Sequence, residues 1–92
     1  MIYEIKYMPE AVNDIADLKR TDNQAYKKVI VLIKELHEHP RNGIGKPKLL
    51  KHKKFKGLWS RRITSKHRLI YSIKDNEIVV LILSAKGHYD DK

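Results

Sequence analysis

Hydrophobic and polar residues alternate with period two from Ile2 to Tyr7, where Tyr3, Ile5 and Tyr7 oppose Ile2, Glu4 and Lys6. Successive side chains of an extended chain point to opposite sides, so this pattern predicts a strand with one better buried face. From Pro9 the period becomes helical: proline suits a first turn, and Val12, Ile15, Ala16 and Leu18 or Lys19 recur at helical spacing to about Arg20. Thr21 with Gln24 three positions on reads as a capping box, after which Ala25, Val29, Leu32, Ile33 and Leu36 mark one face of a longer helix that Pro40 closes. Two helices joined by a tight turn should pack as a hairpin on one side of a sheet.

Gly43 and Gly45 open a loop, and a weak strand signal follows around Lys48 to His52 before a basic connection through Lys53, Lys54 and Lys56 to Gly57. Leu58 to Thr64, His67 to Lys74 and Glu77 to Ser84 read as three antiparallel strands joined by turns at Ser65-Lys66 and Asp75-Asn76. The last of them, Ile78 to Leu83, is apolar on both faces, which places it inside the sheet rather than at an edge. The order predicts an α+β fold in a single domain spanning residues 1–92: an N-terminal strand, a two-helix hairpin, then an antiparallel sheet with the helices packed on one face. If Trp59 and Ile63 face the helices, Ser60, Arg62 and Thr64 point to the other face. If Leu69, Tyr71 and Ile73 are core, then Arg68, Ile70, Ser72 and Lys74 share that face, expected to be uncovered. Arg62 and Arg68 flank one turn and so converge.

Composition adds a partner to this scaffold. The net charge is +9, and it is unevenly placed: residues 1–40 carry six Lys or Arg against seven Asp or Glu, whereas residues 41–92 carry 14 against four. Seven lysines and three arginines lie between Lys46 and Arg68 with no carboxylate among them. Ordinary solvated surfaces intersperse both signs, so a run of this kind points to a polyanion, with nucleic acid as the expected ligand. The chain has no cysteine, which excludes a disulfide framework and thiolate metal sites and fits a reducing cytoplasm. The N-terminus lacks a basic segment followed by an apolar run, and no stretch approaches the roughly 18 apolar residues of a membrane span, so neither export nor a membrane partner is expected.

Chemistry narrows the ligand further. Arginine presents a planar fork of donors matched to phosphate oxygens, so Arg62 and Arg68 on one sheet surface form a candidate phosphodiester clamp, with a plain surface pair as the alternative. His88, within Gly87-His88-Tyr89, carries the side chain best suited to move a proton at neutral pH, although a lone terminal histidine is as readily an ordinary exposed residue. His37 and His39 do not meet on one helix face and lack a third ligand, so no metal site is expected. Gly43, Gly45 and Lys46 do not match a Walker loop.

The runs Gly45-Lys46-Pro47, Leu50-Lys51-His52, Gly57 to Thr64 (Gly-Leu-Trp-Ser-Arg-Arg-Ile-Thr), His67-Arg68-Leu69-Ile70-Tyr71 and His88-Tyr89 resemble the YoeB/Txe branch of the RelE/ParE toxin superfamily. The resemblance implies a RelE-like microbial RNase fold and a toxin of a bacterial toxin–antitoxin pair. It implies an endoribonuclease that enters the ribosomal A site and cuts messenger RNA by attack of a 2′-hydroxyl on the adjacent phosphate, without metal or other cofactor. Carried onto this chain, Arg68 would stabilise charge on the phosphorane, His88 would protonate the leaving 5′-oxygen and Tyr89 would position phosphate or a base. Lys46, Lys51, His52, Arg61 and Arg62 would bind RNA. The family's general-base glutamate falls at Lys48, which would either clamp phosphate or leave another group, such as His52, as the base. Asp90 and Asp91 beside His88 would favour its protonated form. The implied partners are messenger RNA, the 70S ribosome and a cognate acidic antitoxin, with a homodimer as a further option. The alternatives are a non-catalytic gyrase inhibitor of the ParE type and a basic RNA-binding module without chemistry.

Overall fold

The computed structural model describes residues 1–87. Its elements follow in the order β1 (Glu4–Tyr7), α1 (Pro9–Thr21), α2 (Asn23–Leu36), β2 (Lys48–Leu49), β3 (Trp59–Arg62), β4 (Arg68–Lys74) and β5 (Val79–Ser84), with 3-10 turns at Lys53–Phe55 and Asp75–Glu77. The five strands form one sheet in the order β1-β5-β4-β3-β2. The pairings β2–β3, β3–β4 and β4–β5 are antiparallel, as expected from the short turns, but β1 lies parallel to β5, so the sheet is mixed. A parallel neighbour needs a long crossover, and the helices with the following strands supply it. β5 is thereby flanked on both sides, which its two apolar faces require.

Both helices bury one stripe against the sheet. α2 buries Ala25, Val29, Leu32, Ile33 and Leu36, all five of the positions read from the sequence. α1 buries Ala11 and Leu18, with Ile15 packed beside them, whereas Val12 is 54% exposed. From the sheet, Ile63, Leu69, Tyr71, Val80, Ile82 and Ala85 complete the core. The capping box is not used. Thr21 closes α1 and its hydroxyl donates to the Asp17 carbonyl, while the Asp22 carboxylate accepts from Ala25 N at 3.1 Å and caps α2. A carboxylate one residue later reaches the third amide of the helix, so Asp22 alone serves as the linker between the helices.

Two further expectations fail at β5 and on the second face. Ile78 does not extend the strand: at φ 55° it ends the 3-10 turn and is partly exposed, so β5 begins at Val79. The face away from the helices is not bare. Leu50 is 3% exposed and Ile70 only 1%, because residues 50–58 fold back over this face, held by Leu50 N to Leu58 O, Phe55 N to His52 O and Leu58 N to Phe55 O. Between this flap and the sheet remains a cleft of about 310 Å³ lined by Met8, Lys54, Phe55, Leu58, Ile70 and Leu83, among others. The covering is partial, and the end of the sheet bearing Arg62 and Arg68 lies beyond it.

Candidate functional site

The register of the sheet determines which side chains meet. Lys48 pairs with Ser60, Ser60 with Ile70 and Ile70 with Ser84, so these four form one row across β2, β3, β4 and β5. Residues directly opposite one another share a face, and residues two apart along a strand share it too. Arg62 and Arg68, themselves direct partners, therefore form the next row on the same face, away from the helices. At a strand spacing of about 4.8 Å, Lys48 and Arg68 lie on strands about 10 Å apart, within reach of a single bent nucleotide linkage. A register shift opposite Ile70 and Tyr71 accommodates Leu83 as an extra residue. It explains how Ile82 and Ala85 both enter the core while Ser84 turns to the other face.

The loop that carries Lys46 is tied to β3 by the backbone. Gly45 adopts φ 79°, and a Cβ there would stand 2.9 Å from Leu32 Cδ2 and 3.1 Å from the Arg62 carbonyl oxygen. Only glycine fits that approach, which lets Arg62 N donate to Gly45 O at 2.6 Å and stitches the loop to β3. Lys46 follows at φ 51°, itself in the left-handed region. Lys51 is exposed just beyond β2, and His52 heads the 3-10 turn with its Nδ1 accepting from Lys54 N at 3.4 Å.

Arg68 is partly buried, and its Nη1 donates to the carbonyls of Thr64 at 2.8 Å and His67 at 3.2 Å. Burial, and then the neighbouring charge of Arg62, pull its guanidinium down from the ordinary arginine value. Two crowded guanidinium groups gain most from an anion placed between them, which is what this pair offers chemically. The Arg68 amide donates to Gly87 O at 2.9 Å, so the last described residue is held beside it. His88 and Tyr89, expected to complete the site, lie outside the described residues.

Arg61 is a correction. Expected among the RNA-binding residues, it is fully buried on the helix side. Its guanidinium pairs with the Glu35 carboxylate and donates to the carbonyls of His39, Asn42 and Ile44, and its Nε donates to the Tyr71 hydroxyl. That hydroxyl in turn donates to Pro40 O, and burial raises its pKa above the usual tyrosine value. A guanidinium with its donors thus engaged has none for RNA. The signal was present in the sequence, since Arg61 has the parity of Trp59 and Ile63 and cannot share a face with Arg62. What it does instead is anchor the 39–45 loop, and with it Lys46.

Sequence reasoning also passed over Asp14 and assigned no role to His67. Asp14 Oδ2 accepts from Ala85 N at 3.1 Å and Lys86 N at 3.3 Å, and His67 Nδ1 accepts from Gly87 N at 3.1 Å. A half-buried acidic residue beside the apolar stripe of a helix gives no hint in the sequence of such a distant partner. Among the described residues no group of three or more His, Cys, Asp or Glu side chains could hold a metal ion, and no helix is long and apolar enough to cross a membrane.

Comparison with known proteins agrees in sequence and in structure. A family model described as the YoeB-like toxin of bacterial type II toxin–antitoxin systems matches residues 7–89. The toxin YoeB of Escherichia coli K12 is 41% identical over 80 residues, which cover 87% of this chain and 92% of that protein. Among solved structures, the YoeB dimer from Staphylococcus aureus superposes with a TM-score of 0.81 at 36% identity, over 97% of this chain and 100% of that one. The toxin chain in the heterotetrameric YoeB–YefM toxin–antitoxin complex of the same organism gives 0.79 at 34% identity, with the same coverage.

Proposed function

The chain belongs to the YoeB-like toxin family of bacterial type II toxin–antitoxin systems, and from that premise we propose that it is an endoribonuclease that cuts messenger RNA in the ribosomal A site. The 2′-hydroxyl of one nucleotide attacks the adjacent phosphorus and the P–O5′ bond breaks, leaving a 2′,3′-cyclic phosphate and a 5′-hydroxyl. Arg68 stabilises the charge that accumulates on the phosphorane oxygens, and fixed positive charge at such a point is often the largest catalytic contribution. His88 gives its proton to the departing 5′-oxygen and Tyr89 orients the reacting nucleotide. Lys46, Lys51, His52 and Arg62 hold the backbone on either side. Lys48 clamps phosphate and leaves the proton of the 2′-hydroxyl to water.

The observation that carries this reading is the pairing of Arg62 with Arg68 in a row next to Lys48, with Gly87 held on the Arg68 amide directly before His88 in the chain. By analogy with the Staphylococcus aureus complex and dimer, the cytoplasmic partners are an acidic antitoxin that covers the cationic face and a second copy of the chain. A translating extract supplies the test. Added protein should cut a reporter messenger only when ribosomes are present, and Arg68→Ala or His88→Ala should each lower the rate by about a hundredfold or more. Intact messenger after treatment with the unmutated protein refutes the nuclease reading.

A further inference from the structure

Beyond Ser84, where pairing of β5 with β4 ends, the described residues 85–87 have no strand ladder to satisfy their amides. An exposed segment would leave them to water. Here three consecutive amide N–H groups are instead taken by side chains from two distant parts of the molecule. Asp14, on α1, accepts from both Ala85 N and Lys86 N through one carboxylate oxygen, at 3.1 and 3.3 Å. His67, between β3 and β4, accepts from Gly87 N at 3.1 Å, and the next amide in that strand, Arg68 N, donates to Gly87 O at 2.9 Å. Lys86 Nζ adds a bond to Asp17 Oδ2 at 3.0 Å, which holds that carboxyl below the usual aspartate value.

The holders are themselves held. His67 N donates to Thr64 Oγ1 at 3.1 Å, and the His67 carbonyl accepts from Ile63 N and Thr64 N at 3.0 and 3.2 Å. Because Gly87 N is the donor, Nδ1 of His67 serves as the acceptor, and the ring is oriented by that bond. Gly87 adopts φ 86° with nothing within 4 Å of where a Cβ would stand, so glycine is required there by the direction of the chain and not by space. The segment is thus fixed in position by four backbone contacts and in direction by one left-handed residue.

We infer that Asp14 and His67 are positioning residues of the nuclease: from α1 and from the turn before β4 they clasp residues 85–87, and so fix beside Arg68 the point at which the chain continues to His88 and Tyr89. This inference rests on the function proposed above. A clasp of this kind earns its effect through geometry, because a displacement of about 1 Å at a reacting group can cost on the order of a hundredfold in rate. Neither residue needs to touch RNA. Both act through the backbone they hold, so they bear on the chemical step and leave the binding of programmed ribosomes to the cationic face.

The test uses the full chain with a programmed-ribosome cleavage assay and the nuclear magnetic resonance signal of the Gly87 amide. His67→Leu and Asp14→Ala remove the acceptors; His67→Asn puts an acceptor oxygen where Nδ1 stood, and Asp14→Asn keeps one in place. The two acceptor-less variants should lose on the order of a hundredfold in kcat with KM within about twofold, and the two asparagine variants should recover most of it. The Gly87 amide should exchange with solvent faster in His67→Leu and return towards the unmutated rate in His67→Asn. If the unmutated protein cuts and His88→Ala does not, but His67→Leu and Asp14→Ala cut at the unmutated rate, the inference is overturned and the nuclease reading stands. Equal losses in the leucine and asparagine variants, or a fall confined to KM, also overturn it. An unmutated protein that leaves messenger intact overturns both.

Discussion

Arg61 and Arg62 are neighbours in the chain and are used in opposite ways, because successive residues of a strand face opposite sides of the sheet. Arg62 is exposed beside Arg68 on the cationic face, whereas Arg61 is enclosed with Glu35, Tyr71 and three loop carbonyls. Arg61→Ala would leave Glu35 and those carbonyls without their donor, and removing one partner of a buried pair costs about 3–5 kcal/mol. A domain of this size has about 5–15 kcal/mol in total, so urea denaturation should show a large drop in midpoint, while Arg62→Ala should leave the midpoint nearly unchanged. Equal midpoints for the two variants would contradict the assignment of Arg61 to the core. Lys48 permits a complementary gain-of-function test. Its row places it opposite Ser60 and next to the arginines, where a carboxylate could take the proton of the attacking hydroxyl. Lys48→Glu should therefore raise the single-turnover cleavage rate at neutral pH by about a hundredfold, as general bases commonly do. A lower rate in that variant would show that the positive charge of Lys48 matters more than a base.

At the scale of elements, the loops are tied down by charge where hydrophobic contacts are few. Asp75, in the turn between β4 and β5, receives the Tyr3 hydroxyl at 2.7 Å and Arg41 Nη2 at 2.5 Å, so one carboxylate joins the residue before β1, the loop after α2 and that turn. The bond from Arg41, then that from Tyr3, holds the Asp75 carboxyl below its ordinary value. A depressed folded-state value means that the stabilisation is fully present above the ordinary aspartate range, near pH 4, and is lost as the pH falls through the lowered value. The Tm difference between the unmutated protein and Asp75→Asn should thus stay constant from pH 7 to about pH 4 and close below it. It should also shrink in high salt, because the group is exposed. A difference that persists at pH 2 would assign the effect to packing. The irregularity in β5 belongs to this scale as well: it turns Ser84 outward and Ala85 inward, and so sets the direction in which the chain approaches Asp14 and His67.

For the whole molecule, the uneven charge becomes a two-sided object. The helices occupy one face of the sheet, while Lys48, Arg62 and Arg68 share the other, with Lys46 in the loop bonded to Arg62 N through Gly45 O. Binding of a single-stranded RNA should then weaken steeply with salt, since each phosphate contact contributes a log–log slope of about −0.7. Four contacts predict a slope of roughly −3, which Arg62→Ala should reduce by about 0.7 and Lys27→Ala, on α2, should leave unchanged. Equal effects of the two substitutions in a titration from low to moderate salt would mean that the charge acts only as a diffuse field.

The amino-acid order by itself determined the α+β class, the buried stripe of α2, the internal place of β5 and the pairing of Arg62 with Arg68, because these follow from local periodicity and from short turns. The same parity already separated Arg61 from Arg62. Tertiary structure alone decided that β1 lies parallel to β5, that residues 50–58 cover Ile70, and that Asp14 and His67 meet the chain beyond Ser84. Such contacts join residues as far apart as Asp14 and Lys86. Nothing local encodes them, since they arise only when the packing of helices on the sheet brings distant backbone donors and acceptors within hydrogen-bonding distance.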